Sequence, residues 1–284
     1  MIPRSQRLNP YCILLAGRPL SGDAAAAASS KRKDPVADAL RLAEALTSRE
    51  RLFAVISDSE RQPTALQAVT QDNLIIQPRH RGTAFEILLA LLAIESQVEQ
   101  NVPVIFVPTD HVVSDPSTMA RSLVEMGLWV QSEPDRVYLL GAAPEGPHDE
   151  LGYIIPWYDA RETPAAVYEF VERPDARRAR QLINAGGLWN TFIFSGTIQS
   201  LLGLFRPRFD KAISAIRPAV KWGPANPSYA KLLAVVYERL EAVDFSQDVL
   251  SARVEELRVL RVPNCGWWPL KSPLRGRPAH TRSI

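Results

Sequence analysis

The sequence has little of what builds disulfide, zinc or membrane proteins. Its two cysteines, Cys12 and Cys265, stand far apart in 284 residues. That excludes a disulfide framework or a cysteine-based zinc site and points to a reducing, cytoplasmic setting. Cys12 lies inside an apolar run, where a buried free thiol is expected. Long apolar runs are also missing. The longest, Ile87 to Ile94, falls far short of the roughly 20 residues of a bilayer-spanning helix, so no membrane partner is expected. Arg4 and Arg7 are not followed by an apolar signal region before Tyr11, and export is not expected. Net charge is nearly absent, formally +2. Such a balance argues against a nucleic-acid partner, yet it leaves local basic residues for a small phosphorylated substrate. No internal repeat is visible.

What is present is a rhythm of short apolar runs and longer helical patterns. Tyr11 to Ala16, Leu52 to Ile56, Asn73 to Gln77, Val104 to Val107 and Val137 to Leu140 read as strands. Their continuous apolar character suits a parallel sheet covered on both faces. Asp34-Pro35 opens a helix, with Asp34 as N-cap and Pro35 in the first turn. Further helices are expected over Thr83 to Gln97 and Ser117 to Val130. The first of these is apolar almost all round, which implies burial beneath a second layer. Strands alternating with helices make an α/β fold with a mostly parallel sheet. Residues 18 to 35 break the pattern and are expected to form a loop, with a short helical turn conceivable at Ala24 to Ala28.

After Pro144 the rhythm changes. Tyr153 to Ile155 and Val167 to Glu172 look like a small antiparallel insertion. Helices follow near Asp175 to Ala185, Thr197 to Phe205 and Pro227 to Leu240, then a late strand over Leu257 to Val262. The expected organisation is one α/β domain over residues 10 to 262, then a C-terminal segment, 263 to 284, whose end is a loose tail rich in Pro, Arg and Ser.

In open α/β sheets ligands bind beyond the carboxyl ends of the strands, so the residues after each strand are the candidate site. The first strand runs through Ala16 into Gly17-Arg18. The third leads to Gln77-Pro78-Arg79-His80-Arg81-Gly82-Thr83, the fourth to Pro108-Thr109-Asp110-His111. The insertion contributes Gly152-Tyr153 and Glu172-Arg173. Basic groups beside carboxylates in such a crevice suit a phosphorylated ligand with a divalent metal. Asp110 could also be an N-cap or a solvated loop carboxylate, and Arg79 and Arg81 could be surface charges. His111 is read as orienting its loop, and Trp189, Trp267 and Trp268 as packing residues.

Taken in order, these motifs resemble the mannose-1-phosphate guanylyltransferases among the sugar-phosphate nucleotidyltransferases. Gln77 to Ala84 is similar to the family's base-recognition segment, and Pro108-Thr109-Asp110-His111 to Pro-Ser-Asp-His. Leu151-Gly152-Tyr153-Ile154 resembles Glu-Tyr-Gly-Tyr/Trp-Ile, and Phe170-Val171-Glu172-Arg173-Pro174 resembles Phe-Val-Glu-Lys-Pro. Leu188-Trp189-Asn190 and Asp244-Phe245-Ser246 match two further elements. The resemblance covers Leu14 to about Asp248 and implies a Rossmann-like, three-layer nucleotidyltransferase fold of the GT-A-like kind.

By that resemblance the substrates would be GTP and a hexose 1-phosphate, mannose 1-phosphate favoured, and the products GDP-mannose and pyrophosphate. Asp110 would hold Mg²⁺ and, with Arg18 and Arg173, serve the transfer. Ala16, Gly17, Gln77, Arg81, Gly82 and Thr83 would bind the nucleotide. Gly152, Glu172 and Asn190 would bind the sugar. Homo-oligomerisation is left open. Arg173 replaces the usual lysine and keeps its charge with a different geometry.

Two departures touch phosphate and metal. The family's Gly-Gly-x-Gly-Ser/Thr-Arg-Leu loop, a cradle of backbone N–H groups, is reduced to Gly17-Arg18-Pro19-Leu20-Ser21. In Gly266-Trp267-Trp268-Pro269, Pro269 stands where the family's second metal-binding aspartate belongs. The alternative to an enzyme, one of low activity included, is therefore a catalytically impaired relative that binds a nucleotide sugar as a regulatory or partner subunit.

Overall fold

The computed structural model describes residues 8–16, 34–57, 64–157, 164–223 and 226–270. Strand β1 (Tyr11–Leu15) shows why its run is apolar throughout. Ile13 and Leu15 enter one buried cluster, Cys12 and Leu14 the other, on opposite faces of the sheet. Burial pushes the Cys12 thiol up to about 12, so it packs as a small hydrophobe.

Around β1 lie β2 (Leu52–Ile56), β3 (Leu74–Ile76) and β4 (Pro103–Pro108). The short β5 (His111–Val112) follows β4 directly. Then come β6 (Val137–Ala142), β7 (Tyr153–Pro156), β8 (Ala165–Val171), β9 (Leu188–Thr197), β10 (Leu257–Arg261) and β11 (Trp268–Pro269). Nine of these form one sheet in the order β3-β2-β1-β4-β9-β6-β10-β8-β7. Parallel pairings join β3 to β2, β2 to β1, β1 to β4 and β6 to β10. β9 is antiparallel to both β4 and β6. The expected antiparallel pair, β7 and β8, extends this same sheet through β10, and β7 also meets the start of β9.

Helices cover both faces and complete the three layers. One face carries α1 (Pro35–Glu44), α3 (Pro116–Ser132) and α4 (Ala176–Asn184). The other carries α2 (Thr83–Glu95), α5 (Ile198–Phe205), α6 (Asp210–Val220) and α7 (Pro227–Glu238). Asp34 caps α1 by accepting from the backbone N–H of Val36 and Ala37 at 3.0 and 3.2 Å, worth about 1 kcal/mol. In α2 every residue from Ala84 to Ile94 is buried. It lies between the sheet and an outer shell, where Phe85 meets Phe209 and Tyr237 edge-on at 6.1 and 6.3 Å. An ion pair from Arg217 to Glu95 at 3.0 Å ties α6 to its end.

Besides the two-residue strands β5 and β11, two longer elements, β9 and α6, were not expected from the sequence pattern. β9 has no clean alternation because both its faces are covered and a bulge interrupts it opposite β6. Its polar residues satisfy themselves locally: the Thr191 hydroxyl donates to Leu140 O at 2.7 Å and the Ser195 hydroxyl to Val104 O at 2.8 Å. α6 ends with Pro218 inside its last turn, which hides its periodicity. Residues 263–270 are fastened to the loop after β4. Cys265 O accepts from the N–H of Ser114 and Asp115 at 3.0 and 2.9 Å, and β11 pairs with β5. The expected loop at 18 to 35 lies almost wholly outside the described residues, as does the end of the expected tail.

Candidate active site

The end of β4 is clamped to the end of β1. Thr109 donates both its backbone N–H and its hydroxyl to Leu15 O, at 3.2 and 3.1 Å. This turns the chain so that Asp110 faces a cleft of about 880 Å³, open mouth included. His111 beside it is buried, and burial pushes its imidazole down to about 4 although Asp110 and Asp38 oppose the shift. It therefore packs as a neutral ring, 6.1 Å from Trp267. Leu270 N donates to Asp110 O at 2.9 Å, and Pro269 pairs with His111, so Pro269 lines the cleft beside Asp110.

The facing wall comes from β7, β8 and β9. Gly152 O accepts from Asn190 N at 2.8 Å, and Asn190 Oδ1 accepts from Phe192 N at 3.0 Å. Glu172 presses on Gly152 so closely that a Cβ there would lie 2.5 Å from Glu172 Oε2. Arg173 reaches Glu172 at 3.5 Å and Asp244 at 3.7 Å. Arg173 and Phe192 hold φ of +47° and +59°, and both line the cleft. Left-handed backbone at non-glycine residues costs about 1–3 kcal/mol and collects at functional sites.

A third wall is the first turn of α2, with Thr83 and Glu86. The Thr83 hydroxyl oxygen accepts from Phe245 N at 3.0 Å. Gly82, at φ +83°, lies against the backbone of Val243. Arg81 donates through Nε to Tyr237 O at 2.9 Å and through Nη2 to Glu238 O at 3.4 Å. Gln77 is buried behind the wall, where its Oε1 accepts from Ser57 Oγ at 3.0 Å. Arg79 is exposed.

Of the residues expected at the site, Thr83, Asp110, Gly152, Glu172, Arg173 and Asn190 line this one cleft. Gln77, Arg81 and Gly82 build its α2 wall from behind and are absent from the lining. Ala16 sits just past β1, held by its N–H to Val55 O at 3.0 Å. Gly17 and Arg18 lie outside the described residues. Trp189 and Trp267 are buried and Trp268 packs partly buried beside Trp189. The sequence reading missed Glu86 and the part played by Asp244. A charged residue inside the otherwise apolar α2 was the available signal for the first.

Among the described residues no cluster of three or more His, Cys, Asp or Glu side chains could close around a metal. Asp110 offers one carboxylate, with proline beside it. Mg²⁺ accepts such a site, because it keeps several waters and takes the rest of its shell from substrate phosphates. The donors present fit that ion delivered with a nucleotide.

The sequence matches the family model described as nucleotidyl transferase over residues 42–206, more than half of the chain. The chain belongs to the nucleotidyl transferase family. This nucleotidyltransferase is 31% identical over 138 residues to the alginate biosynthesis protein AlgA of Pseudomonas putida, covering 48% of this chain and 28% of that one. It is 29% identical over 160 residues to mannose-1-phosphate guanylyltransferase of Escherichia coli, covering 52% and 33%. The matches thus span about a third of the length of these curated relatives. Among solved structures it resembles a mannose-1-phosphate geranyltransferase of Thermus thermophilus, with TM-score 0.68, 22% identity and coverage of 90% and 74%. It also resembles a mannose-6-phosphate isomerase of Helicobacter pylori, with TM-score 0.69, 15% identity and coverage of 90% and 98%. These two likenesses establish the fold.

Proposed function

We propose that this nucleotidyltransferase transfers a guanylyl group from GTP to a hexose 1-phosphate, mannose 1-phosphate favoured, giving GDP-mannose and pyrophosphate. The observation that supports this most is one cleft holding Asp110 together with Glu172, Arg173 and Asn190. Glu172 and Asn190 would accept hydrogen bonds from the sugar hydroxyls, and Gly152 would let the ring approach the backbone. Arg173 would take the sugar phosphate, leaving Asp244 for it. A phosphate oxygen of the hexose attacks the α-phosphorus in line. The new P–O bond forms as the bond to the bridging oxygen breaks, and pyrophosphate departs with that electron pair. Both nucleophile and leaving group are already anionic, so the step needs positioning and charge neutralisation more than a general base. Mg²⁺ held at Asp110 would neutralise phosphate charge. Two buried free thiols suit a reducing cytoplasm, and no helix among the described residues is long and apolar enough to cross a membrane.

Pro269 favours a second reading, a nucleotide-sugar-binding relative with impaired transfer. The deciding assay is Mg²⁺-dependent pyrophosphate release from GTP with a panel of hexose 1-phosphates. Release with mannose 1-phosphate supports the first reading. None with any acceptor, alongside measurable GDP-mannose binding, establishes the second. Pro269→Asp should restore a second carboxylate beside Asp110 and raise the rate about tenfold, some 1.4 kcal/mol of barrier. A rate no higher than the parent's would show that position 269 does not face the metal. Gly152→Ala should push Glu172 aside and raise KM for the hexose 1-phosphate about tenfold with a smaller change in kcat. An unchanged KM would place the sugar elsewhere.

A further inference from the structure

Glu86 is a carboxylate in the first turn of α2, flanked along the chain by Ala84, Phe85, Ile87 and Leu88, and only 2% of its surface is exposed. A buried carboxylate is costly unless something fixes and uses its charge. Among the described residues its polar partners are the Ser57 hydroxyl, which donates to Oε1 at 2.9 Å, and His80 Nδ1 at 3.3 Å. No arginine or lysine among those residues neutralises it. It nevertheless lines the cleft, one turn beyond Thr83, on the α2 wall and not on the β7–β9 wall that holds Gly152 and Asn190.

Behind it sits Gln77, whose Oε1 lies 3.0 Å from the same hydroxyl. Ser57 has one proton for two acceptors, and Gln77 Nε2 is left buried with no acceptor. Turning the amide over resolves both faults, because amide orientation is assigned from its partners. Nε2 then donates to Ser57 Oγ, and Ser57 donates to Glu86. The relay leaves the Glu86 carboxylate with acceptor capacity toward the cleft.

We infer that Glu86 reads the base of the nucleotide and selects guanine. This inference rests on the proposed nucleotide-sugar site. Guanine is the one common base with two adjacent donors on its pairing edge, N1–H and the 2-amino group. A carboxylate accepts from both. Adenine presents a bare ring nitrogen there, uracil flanks its single N–H with carbonyls, and cytosine pairs one donor with an acceptor. Each leaves a lone pair facing the charge. Sites that match a donor pattern reject the analogue lacking it.

The test is equilibrium binding of GDP, IDP, ADP and XDP to the full chain and to Glu86→Gln. The native chain should bind GDP about tenfold or more tightly than IDP, which lacks the 2-amino group, and more tightly than ADP. Glu86→Gln should reverse the preference toward XDP. Its amide oxygen accepts from xanthine N1–H while its NH₂ donates to the 2-oxo group. The native comparison of GDP with IDP needs no variant, so it stands even if Glu86→Gln folds poorly. Equal binding of GDP, IDP and ADP to the native chain overturns the role of Glu86 while leaving the cleft as a nucleotide site. So does a guanine preference that Glu86→Gln retains. Binding of none of the four overturns both this inference and the proposed function.

Discussion

Asp110→Asn is expected to lower Mg²⁺-dependent pyrophosphate release about a hundredfold, with no change in thermal midpoint. The side chain sits at the turn after β4, which the backbone holds through Thr109 to Leu15 O and Leu270 N to Asp110 O. The substitution keeps volume and shape and leaves those bonds intact. What it removes is the one negative charge that the described residues offer a cation at that turn, since Pro269 occupies the neighbouring lining position. Where catalysis is mostly charge neutralisation, losing one such group costs about two orders of magnitude. Steady-state assays across a Mg²⁺ titration would also show a raised metal requirement. An unchanged rate would mean that the metal lies elsewhere.

Gly82→Ala is expected to destabilise the fold by about 3 kcal/mol or more. Gly82 holds φ +83° and ψ 167°, a region essentially closed to residues with a Cβ and costing about 1–3 kcal/mol. The added methyl would also lie 2.1 Å from Val243 O. That carbonyl cannot yield easily. It accepts from Ala84 N at 3.2 Å while Val243 N donates to Arg81 O at 3.0 Å, a pair of bonds that sews the start of α2 to the segment before Asp244. Urea unfolding should show a lower midpoint with little change in slope. A variant as stable as the parent would contradict the claim that this glycine sets the α2 wall.

Much of this was legible in the residues because burial on both faces leaves a simple trace. β1, β2 and β4 are continuous apolar runs, and the ends of β1 and β4 reach the cleft. The cap of α1 was readable from Asp34, since a side-chain acceptor before a helix has a local purpose. β9 was not legible. Its strand character depends on pairing with β4 and β6, distant in sequence, and its bulge breaks the alternation near Phe192. The site was legible from position where a residue comes just after a strand, as Asp110 and Glu172 do, and from the family resemblance at Thr83, Gly152 and Asn190, which line the same cleft. Arg81 read as a nucleotide ligand, yet its guanidinium donates to the carbonyls closing α7, a tertiary partner 156 residues away. Glu86 was hidden for the opposite reason. A helix apolar nearly all round invites a reading of packing alone.

The central claim is that one cleft, beyond β1 and β4 and facing β7 to β9, holds a nucleotide sugar. A crystal structure of the chain with GDP-mannose tests it most directly. The account predicts the hexose against Glu172 and Asn190, the diphosphate beside Asp110, and the guanine edge toward Glu86. Density for the ligand outside this cleft, or with the hexose on the α2 wall, would contradict it.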